Sequence, residues 1–200
     1  MRKLPKNLDN PIDNILVDVA DIISPFLKTL DMTPNAITTV ALILALFSIN
    51  SFVNHEYKTA AIFFFLSYFF DCVDGHFARK YNMVSQFGDY YDHAVDIFKG
   101  VVIYSLLFYT LYINDQILVI IILILLLGLL FVHLGCQEKY VEATNNKISS
   151  EALSGLKLLC PDQYNCKDKN VMQWTKFFGC GTAVLVTTLV IYNLDYLIKK

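Results

Sequence analysis

The amino-acid sequence predicts an all-α integral membrane protein: a bundle of five to six transmembrane helices preceded by an N-terminal interfacial amphipathic helix. Of its 200 residues, 56% are hydrophobic, whereas a soluble domain of this length has about 45%. The apolar residues are gathered into runs that are each near the length needed to cross about 30 Å of hydrocarbon. The net charge of -2 provides no field that would attract nucleic acid, so we expect no nucleic-acid partner.

Residues 10–30 form the predicted interfacial helix. Their apolar side chains recur at a helical period, with three aspartates and a lysine on other faces. Asn10 suits an N-cap and Pro11 the first helical position, whereas Pro25 should bend the helix or end its first segment. The segment carries too many charges to span a bilayer, so we expect it to lie in the interface with its apolar face towards the lipid.

Five apolar runs follow, and we expect each to span the membrane. Their approximate bounds are 35–53, 57–72, 88–113, 116–134 and 177–193. Residues 1–200 would form one domain, with residues 35–136 as its core. Between the fourth and fifth runs, residues 137–176 form a polar loop with six lysines and too many charges to span.

The basic residues predict the orientation of the bundle. They precede the first span, follow the second and lie in the loop after the fourth, whereas the turns near His55 and Asn114 carry one lysine between them. Because basic segments stay on the cytosolic side, the N-terminus and the 137–176 loop should face the cytosol. The odd number of spans then places Lys199 and Lys200 on the opposite side.

The cysteines predict no metal site and no disulfide framework. There are five of them, an odd number, and none forms a CxxC pair. No histidine near the 160–166 stretch completes a zinc site. We therefore expect reduced thiols. The cysteines are Cys72, Cys136, Cys160, Cys166 and Cys180.

The informative anomaly is a group of aspartates where the second span ends and the third begins. Asp71, Asp74 and Ala78 lie at i, i+3 and i+7, so they share one helical face, with Gly75 and Arg79 beside them. Ionisable residues at membrane depth are costly and usually functional. This stripe is therefore a candidate site.

A second stripe begins the next helix, where Gly88, Asp92 and Asp96 follow one another at intervals of four. The intervening loop should bring the two faces together as an antiparallel pair. Four converging carboxylates would repel one another unless a cation neutralised them. Oxygen ligands suit Mg²⁺ or Mn²⁺, and two such ions suit a pyrophosphate being cleaved. Arg79 adds a fork-shaped donor for phosphate oxygens.

These residues match the signature D-x2-D-G-x2-A-R-x8-G-x3-D-x3-D over residues 71–96, with every fixed position met, so the chain resembles the CDP-alcohol phosphotransferase family. Residues 33–38 are similar to the stretch that opens the family's first span. The likeness covers most of the first 135 residues. It implies a helical membrane enzyme with two divalent ions, Mg²⁺ or Mn²⁺, in a site that opens to the cytosolic interface.

The resemblance also implies roles for the motif residues. The family's metal ligands correspond to Asp71, Asp74 and Asp92. Asp96 would lie at the metals as well and act as general base on the acceptor hydroxyl. The reaction moves a substituted phosphate group from a CDP-alcohol to an acceptor alcohol and releases CMP. The expected nucleotide- and substrate-binding residues are Asn35, Thr38, Gly75, Ala78, Arg79, Ser85 and Gly88.

Several features depart from the family's pattern or fall outside it. Typical members have six spans, and five are evident here. Asp89 is an additional carboxylate, which we expect to be solvated at the helix start, where the dipole favours an anion, rather than a support for the metal ligands. His93 could orient an aspartate, contact the acceptor or simply pack. His133 and Lys139 are expected to anchor the fourth span at the interface rather than bind phosphate.

The choice of alcohol is ambiguous. Residues 92–96, DHAVD, are similar to the DHGxD variant of choline and ethanolamine phosphotransferases. The pair Gly75-His76 instead resembles the DGHxAR form of eukaryotic-type phosphatidylinositol synthases, although Ile97 stands where members that use inositol phosphate commonly have arginine. We favour CDP-ethanolamine or CDP-choline with diacylglycerol. The alternative is a CDP-diacylglycerol-dependent phosphatidyltransferase.

Two hypotheses from other classes compete with the enzyme. A cation-handling protein would line a transport path with carboxylates, but the fourth span has no acidic residue before His133. A catalytically dead, structural family member would not need the intact motif. The expected partners are a CDP-alcohol donor, a lipid or polar alcohol acceptor and membrane lipids, and a homodimer is compatible with the family. In a eukaryote the expected location is the endoplasmic reticulum membrane.

Overall fold

The computed structural model describes residues 2–144, 154–161 and 170–198. These residues form helices and connecting turns and contain no strand. Cys166, Lys199 and Lys200 lie outside the described residues, so the expectations about them are left as predictions. The helices are α1 (Pro11–Thr29), α2 (Pro34–Val53), α3 (Tyr57–Lys80), α4 (Gln86–Ile113), α5 (Ile117–Thr144), α6 (Asn170–Thr175), α7 (Cys180–Tyr192) and α8 (Leu194–Ile198), with 3₁₀ helices at Ser154–Leu159 and Lys176–Phe178.

Five helical segments in the described part of the chain are long and apolar enough to cross a membrane. Four of them are α2, α3, α4 and α5, and the fifth, Val171–Tyr192, joins most of α6, the second 3₁₀ helix and α7. The predicted fold class, an all-α multi-pass membrane protein, is therefore confirmed, with five spans.

Three of the spans extend beyond the apolar runs that predict them. α3 continues to Lys80 and α5 to Thr144, whereas their apolar runs end near Cys72 and Leu134. The fifth span begins at Val171, whereas its apolar run begins near Phe177. The 28 residues of α4 and of α5 amount to about 42 Å of helix, against about 30 Å of hydrocarbon. Hydropathy detects the apolar part of a helix. It does not reveal the polar turns by which the same helix continues beyond that part.

α3 is the central helix of the bundle. It packs most extensively on α2 and also contacts α1 and α7, while α4 packs on α2 and α5. Buried small residues on α2 and α3, including Ala41, Ala45, Ala60 and Ala61, allow these two backbones to approach closely. α3 and α4 pack mainly on other helices and not on each other. A gap therefore separates their backbones, and their acidic stripes face each other across it.

α1 carries apolar residues on two faces. Leu16, Ala20 and Leu27 are buried against the bundle, and Asn10 accepts a hydrogen bond from the backbone N–H of Ile12 as the predicted N-cap. A second apolar stripe points away from the protein and is 40–77% exposed. Its members are Ile15, Val19, Ile22, Phe26 and Leu30.

Pro25 does not end α1, which continues to Thr29. A proline lacks the N–H that would bond to the carbonyl four residues earlier, here that of Asp21. Lys80 Nζ donates to this carbonyl oxygen at 2.9 Å and also contacts the Asp21 carboxylate. α3 thus supplies the bond that the proline removes.

The prediction that the cysteines are reduced is wrong for one pair. Cys136, near the end of α5, and Cys160, just after the first 3₁₀ helix, form a disulfide. Both are fully buried with Leu4, Leu8 and other apolar residues in a small cluster beside the main core. Cys72 and Cys180 are free.

Candidate active site

The turn between α3 and α4 fixes the orientation of the two acidic stripes. Asn82 adopts a left-handed conformation, φ 54°, which asparagine tolerates. The Met83 backbone N–H donates to the Ala78 carbonyl and so closes the end of α3. Ser85 is the N-cap of α4 and accepts a hydrogen bond from the Gly88 N–H at 3.1 Å. The turn that joins α3 to α4 therefore has only five residues, 81–85.

Three of the four predicted carboxylates converge. One oxygen each from Asp71, Asp92 and Asp96 lies within 4.8 Å of the others. Asp74 is outside this group and is buried against α2, where Thr38 donates a hydrogen bond to its Oδ2 at 2.6 Å. The structure thus separates a cluster of three carboxylates from a fourth that α2 holds in place.

The carboxylate cluster has the donor set of a hard divalent cation. Among the described residues, Asp92 Oδ1 is buried, accepts no hydrogen bond and makes no ion pair. A buried carboxylate oxygen without a donor is unfavourable unless a cation compensates it. An oxygen-only set fits Mg²⁺ or Mn²⁺ better than zinc or copper. The residues present therefore fit a divalent ion.

Lys99 also belongs to this cluster and was not predicted from the sequence. Its Nζ lies 2.5 Å from Asp71 Oδ1 and 2.6 Å from Asp96 Oδ1, and the residue is 8% exposed. The contact with Asp71 is a hydrogen bond; the contact with Asp96 is an ion pair that lacks hydrogen-bond alignment. A lysine three residues after Asp96, within an apolar span, is the signal that could have revealed it.

A cavity of about 380 Å³ lies beside the carboxylates. Asp74 and Asp92 line it, whereas Asp71 and Asp96, each one helical turn away on α3 and α4, do not. All the predicted nucleotide-binding residues line it. These are Asn35, Thr38, Gly75, Ala78, Arg79, Ser85 and Gly88.

Two motif glycines keep parts of the cavity wall close together. A Cβ at Gly75 would lie 3.2 Å from Nη1 of Arg79, so the guanidinium rests over this glycine. A Cβ at Gly88 would lie 3.0 Å from Ser85 Oγ and 3.1 Å from Asn35 Oδ1. Gly88 therefore permits the close approach of α4 to the start of α2.

The two histidines near the motif occupy different surroundings. His93 lines the cavity, with its Nδ1 2.7 Å from the carbonyl oxygen of Asp89. Asp89 lines the cavity as well, and its carboxylate lies 3.6 Å from the same nitrogen. His76 is buried between helices, with Nε2 2.9 Å from Asp21 of α1, and does not line the cavity.

His133 and Lys139 do not line the cavity. His133 is buried, and its Nδ1 lies 3.1 Å from Thr175 Oγ1. Lys139 donates to the carbonyl oxygen of Cys160 at 3.1 Å. Both side chains therefore join α5 to the polar segment that follows it.

Lys3 is a cavity residue that no sequence pattern indicated. It reaches the cavity from the N-terminal segment. Its Nζ lies 2.5 Å from Oε1 of Glu138, whose side chain is completely buried on α5. The N-terminal segment therefore adds a cation to a cavity that already contains Arg79.

A comparison with protein families decides the identity of the chain. The sequence model of the family described as CDP-alcohol phosphatidyltransferase matches residues 31–193. The chain belongs to this family. Its predicted membership is confirmed, and the match extends through α7, well beyond the first 135 residues. No curated protein and no solved structure matches the chain.

Membership of the family gives the chain a function in general terms. It is a membrane-embedded transferase of phospholipid biosynthesis that uses a CDP-alcohol and an alcohol acceptor. The family uses divalent metals, and the acidic cluster could hold one. The comparisons give no support to a homodimer.

Proposed function

We propose that the protein moves a substituted phosphate group from CDP-ethanolamine or CDP-choline to diacylglycerol and releases CMP, through a two-metal mechanism. One observation carries this proposal: the cavity lined by the motif includes Asp74 and Asp92 in its wall, and Asp92 also belongs to the cluster with Asp71 and Asp96. A diphosphate in the cavity would therefore place a phosphorus beside the carboxylates.

The donor would be bound by groups from α2, α3 and α4. Arg79 supplies a fixed positive charge for the diphosphate. Gly75 and Gly88 leave the helix backbones accessible, and Asn35 and Ser85 add polar side chains to the wall. Lys3 adds a second cation.

The four motif aspartates would hold two divalent ions, Mg²⁺ or Mn²⁺. When bound, the ions stabilise negative charge on the transferring and leaving phosphate oxygens. Thr38 orients Asp74 towards this task through its hydrogen bond. Asp71 connects the aspartates of α3 to those of α4 through Lys99.

Asp96 is the proposed general base. Its side chain is 38% exposed, so a hydroxyl can reach it, and it adjoins Asp92 one turn away on α4. The acceptor oxygen forms a bond to the phosphorus as the bond to the CMP oxygen breaks, and the acceptor proton passes to Asp96. CMP carries away the bonding electron pair.

The surroundings of the two histidines favour an aminoalcohol donor. His93, in the stretch that is similar to choline and ethanolamine phosphotransferases, lines the cavity. His76, which supports the likeness to phosphatidylinositol synthases, instead contacts α1. Its position is therefore explained by helix packing. A CDP-diacylglycerol-dependent phosphatidyltransferase is the alternative.

The membrane arrangement is also a proposal. The outward stripe of α1 would lie in the lipid interface, and the basic residues favour a cytosolic cavity. In a eukaryotic cell this orientation suits the endoplasmic reticulum. Nucleotide would then arrive from water and diacylglycerol from the bilayer.

The decisive experiment measures CMP release by the purified chain in lipid with Mg²⁺ and a panel of CDP-alcohols and acceptors. We expect CDP-ethanolamine or CDP-choline with diacylglycerol to be the best pair. Release only from CDP-diacylglycerol would favour the alternative. No release from any pair would defeat the enzyme hypothesis and favour a catalytically dead member, and cation flux in liposomes would favour the transport hypothesis.

Asp96→Asn tests the base. We expect turnover to fall by at least about 100-fold, the usual contribution of a general base, while CDP-alcohol binding is kept. Asp115→Asn is the matched control, because Asp115 lies in the turn between α4 and α5 with φ 56°, which asparagine also tolerates. Unchanged turnover in Asp96→Asn would show that the base is another group.

A further inference from the structure

Lys99 is unusual because it is a cation directed at the very carboxylates that a metal would use. It lies one turn beyond Asp96 on α4, between the buried residues Val95 and Ile103. Its ammonium lies within 2.6 Å of oxygens from two helices, Asp71 on α3 and Asp96 on α4. Two of the structure's ion pairs are therefore made by this one ammonium with the carboxylate cluster.

The ammonium and a divalent ion cannot share these oxygens. A Mg²⁺ ion binds carboxylate oxygens at about 2.0–2.1 Å, so an ion on Asp71 Oδ1 and Asp96 Oδ1 would lie next to Nζ. Two cations at such a distance repel strongly in a poorly hydrated site. One of them must leave.

Asp92 and Asp74 are not engaged in this way. Asp92 Oδ1 is buried without a hydrogen bond, and Asp74 accepts a hydrogen bond from Thr38. Both line the cavity. A first ion can therefore bind on this side while Lys99 keeps its contacts.

We propose that Lys99 competes with the second divalent ion for Asp71 and Asp96 and holds the site in a one-ion state until that ion displaces it. This inference rests on the proposed two-metal function. A lysine suits the task because its four-carbon stem is flexible and its ammonium is a compact charge. It can withdraw by side-chain rotation alone.

The test is a titration of Mn²⁺ into the full chain in lipid nanodiscs, with free Mn²⁺ measured by electron paramagnetic resonance. The wild-type chain should bind one ion per chain tightly and a second at least tenfold more weakly. Lys99→Met, which keeps an unbranched side chain of similar length and removes the charge, should bind the second ion at least tenfold more tightly than the wild type does. Lys99→Arg should retain the weak second step.

Lys80→Met is the matched control, because it removes one positive charge from the end of α3, where Lys80 contacts Asp21 and not the carboxylate cluster. It should titrate like the wild type. Two equal steps in the wild type would overturn the inference, and this readout does not depend on whether any variant folds. An unchanged second step in a folded Lys99→Met chain would also overturn it. Absence of any bound Mn²⁺ in the wild type would instead overturn the proposed metal-dependent function.

Discussion

At the scale of single residues, the candidate site consists of the aspartates and of the neighbouring side chains that hold them in place. Thr38 is the clearest case, since its hydroxyl lies 2.6 Å from Asp74 Oδ2 and both residues are buried. A donor that orients a metal ligand commonly contributes about 10- to 100-fold to metal affinity. Thr38 therefore adds to the geometry of the site through Asp74.

Thr38→Val keeps the shape of the side chain and removes the hydroxyl. We expect the Mg²⁺ concentration for half-maximal CMP release to rise by about tenfold. Thr38→Ser should restore the wild-type value. Thr39→Val is the control, because Thr39 is the next residue of α2 and its hydroxyl bonds only to α2 and Tyr91. An equal effect of both valine substitutions would assign the loss to α2 and not to Asp74.

The site residues that could be predicted from the sequence are those that recur at a helical interval, and the residues that stand alone were missed. Asp71, Asp92 and Asp96 were found because carboxylates on one helical stripe need a common explanation, and the structure brings them together. Lys99 and Lys3 were missed because each is a single lysine whose partner lies on another element. The roles assigned to the motif residues are still predictions.

At the scale of elements, α1 is held to the bundle by a buried carboxylate. Asp13 accepts hydrogen bonds from the Tyr68 hydroxyl of α3 and from the backbone N–H of Gly181 at the start of α7. Burial raises the pKa of Asp13 from 3.8 to about 6, although the hydrogen bond from Tyr68 opposes the rise. The carboxyl is thus protonated more readily in the folded protein than in the unfolded chain.

This pKa predicts how stability changes with pH. Between about pH 4 and pH 6 the folded state binds more protons at Asp13, so its stability falls as the pH rises, by on the order of 3 kcal/mol in total. Asp13→Asn removes the titration. The melting temperature of the wild type relative to this variant should therefore decrease from pH 4 to pH 6 and then level off.

Asp18→Asn, on the same helix, tests a dependence of stability on pH that should have the opposite sign. Lys6 and Arg2 hold the pKa of Asp18 below its usual value, so the wild type should lose stability relative to this variant as the pH falls. A pH-independent difference between the wild type and Asp13→Asn would show that Asp13 titrates alike in both states.

The elements were predicted best where the lipid imposes a constraint. The apolar runs located five spans because a helix in hydrocarbon must be apolar over its length. The end of α5 and the continuity of α1 through Pro25 escaped detection because they depend on polar turns and on Lys80 of α3.

At the scale of the whole molecule, the disulfide joins the polar segment after α5 to the rest of the chain. Cys136 and Cys160 are 24 residues apart and almost completely buried. Their pairing could not be predicted from an odd number of cysteines, because it depends on where the first 3₁₀ helix packs. A cytosolic orientation would expose the protein to reductants, against which burial protects the bond.

A chain with Cys136→Ala and Cys160→Ala together should lose about 3 kcal/mol of unfolding free energy, as expected for a loop of this length. Denaturant unfolding in lipid checks this value. Under a reductant strong enough to open the wild-type bond, the wild type should unfold like the double variant, and the variant itself should not respond. Equal stability of the two chains in the absence of reductant would contradict a stabilising role for the disulfide.

The polar ends of α3, α4 and α5 have a consequence for the lipid around them. All three carry their charged turns on the cavity side, where α3 ends, α4 begins and α5 ends. In the proposed membrane arrangement, bilayer thickness would therefore determine how deep the cavity lies relative to the headgroup layer. In a thin membrane the opening of the cavity would lie above the acyl chains, and in a thick one it would lie among them. The lipid composition of the membrane would therefore regulate how readily substrates reach the cavity.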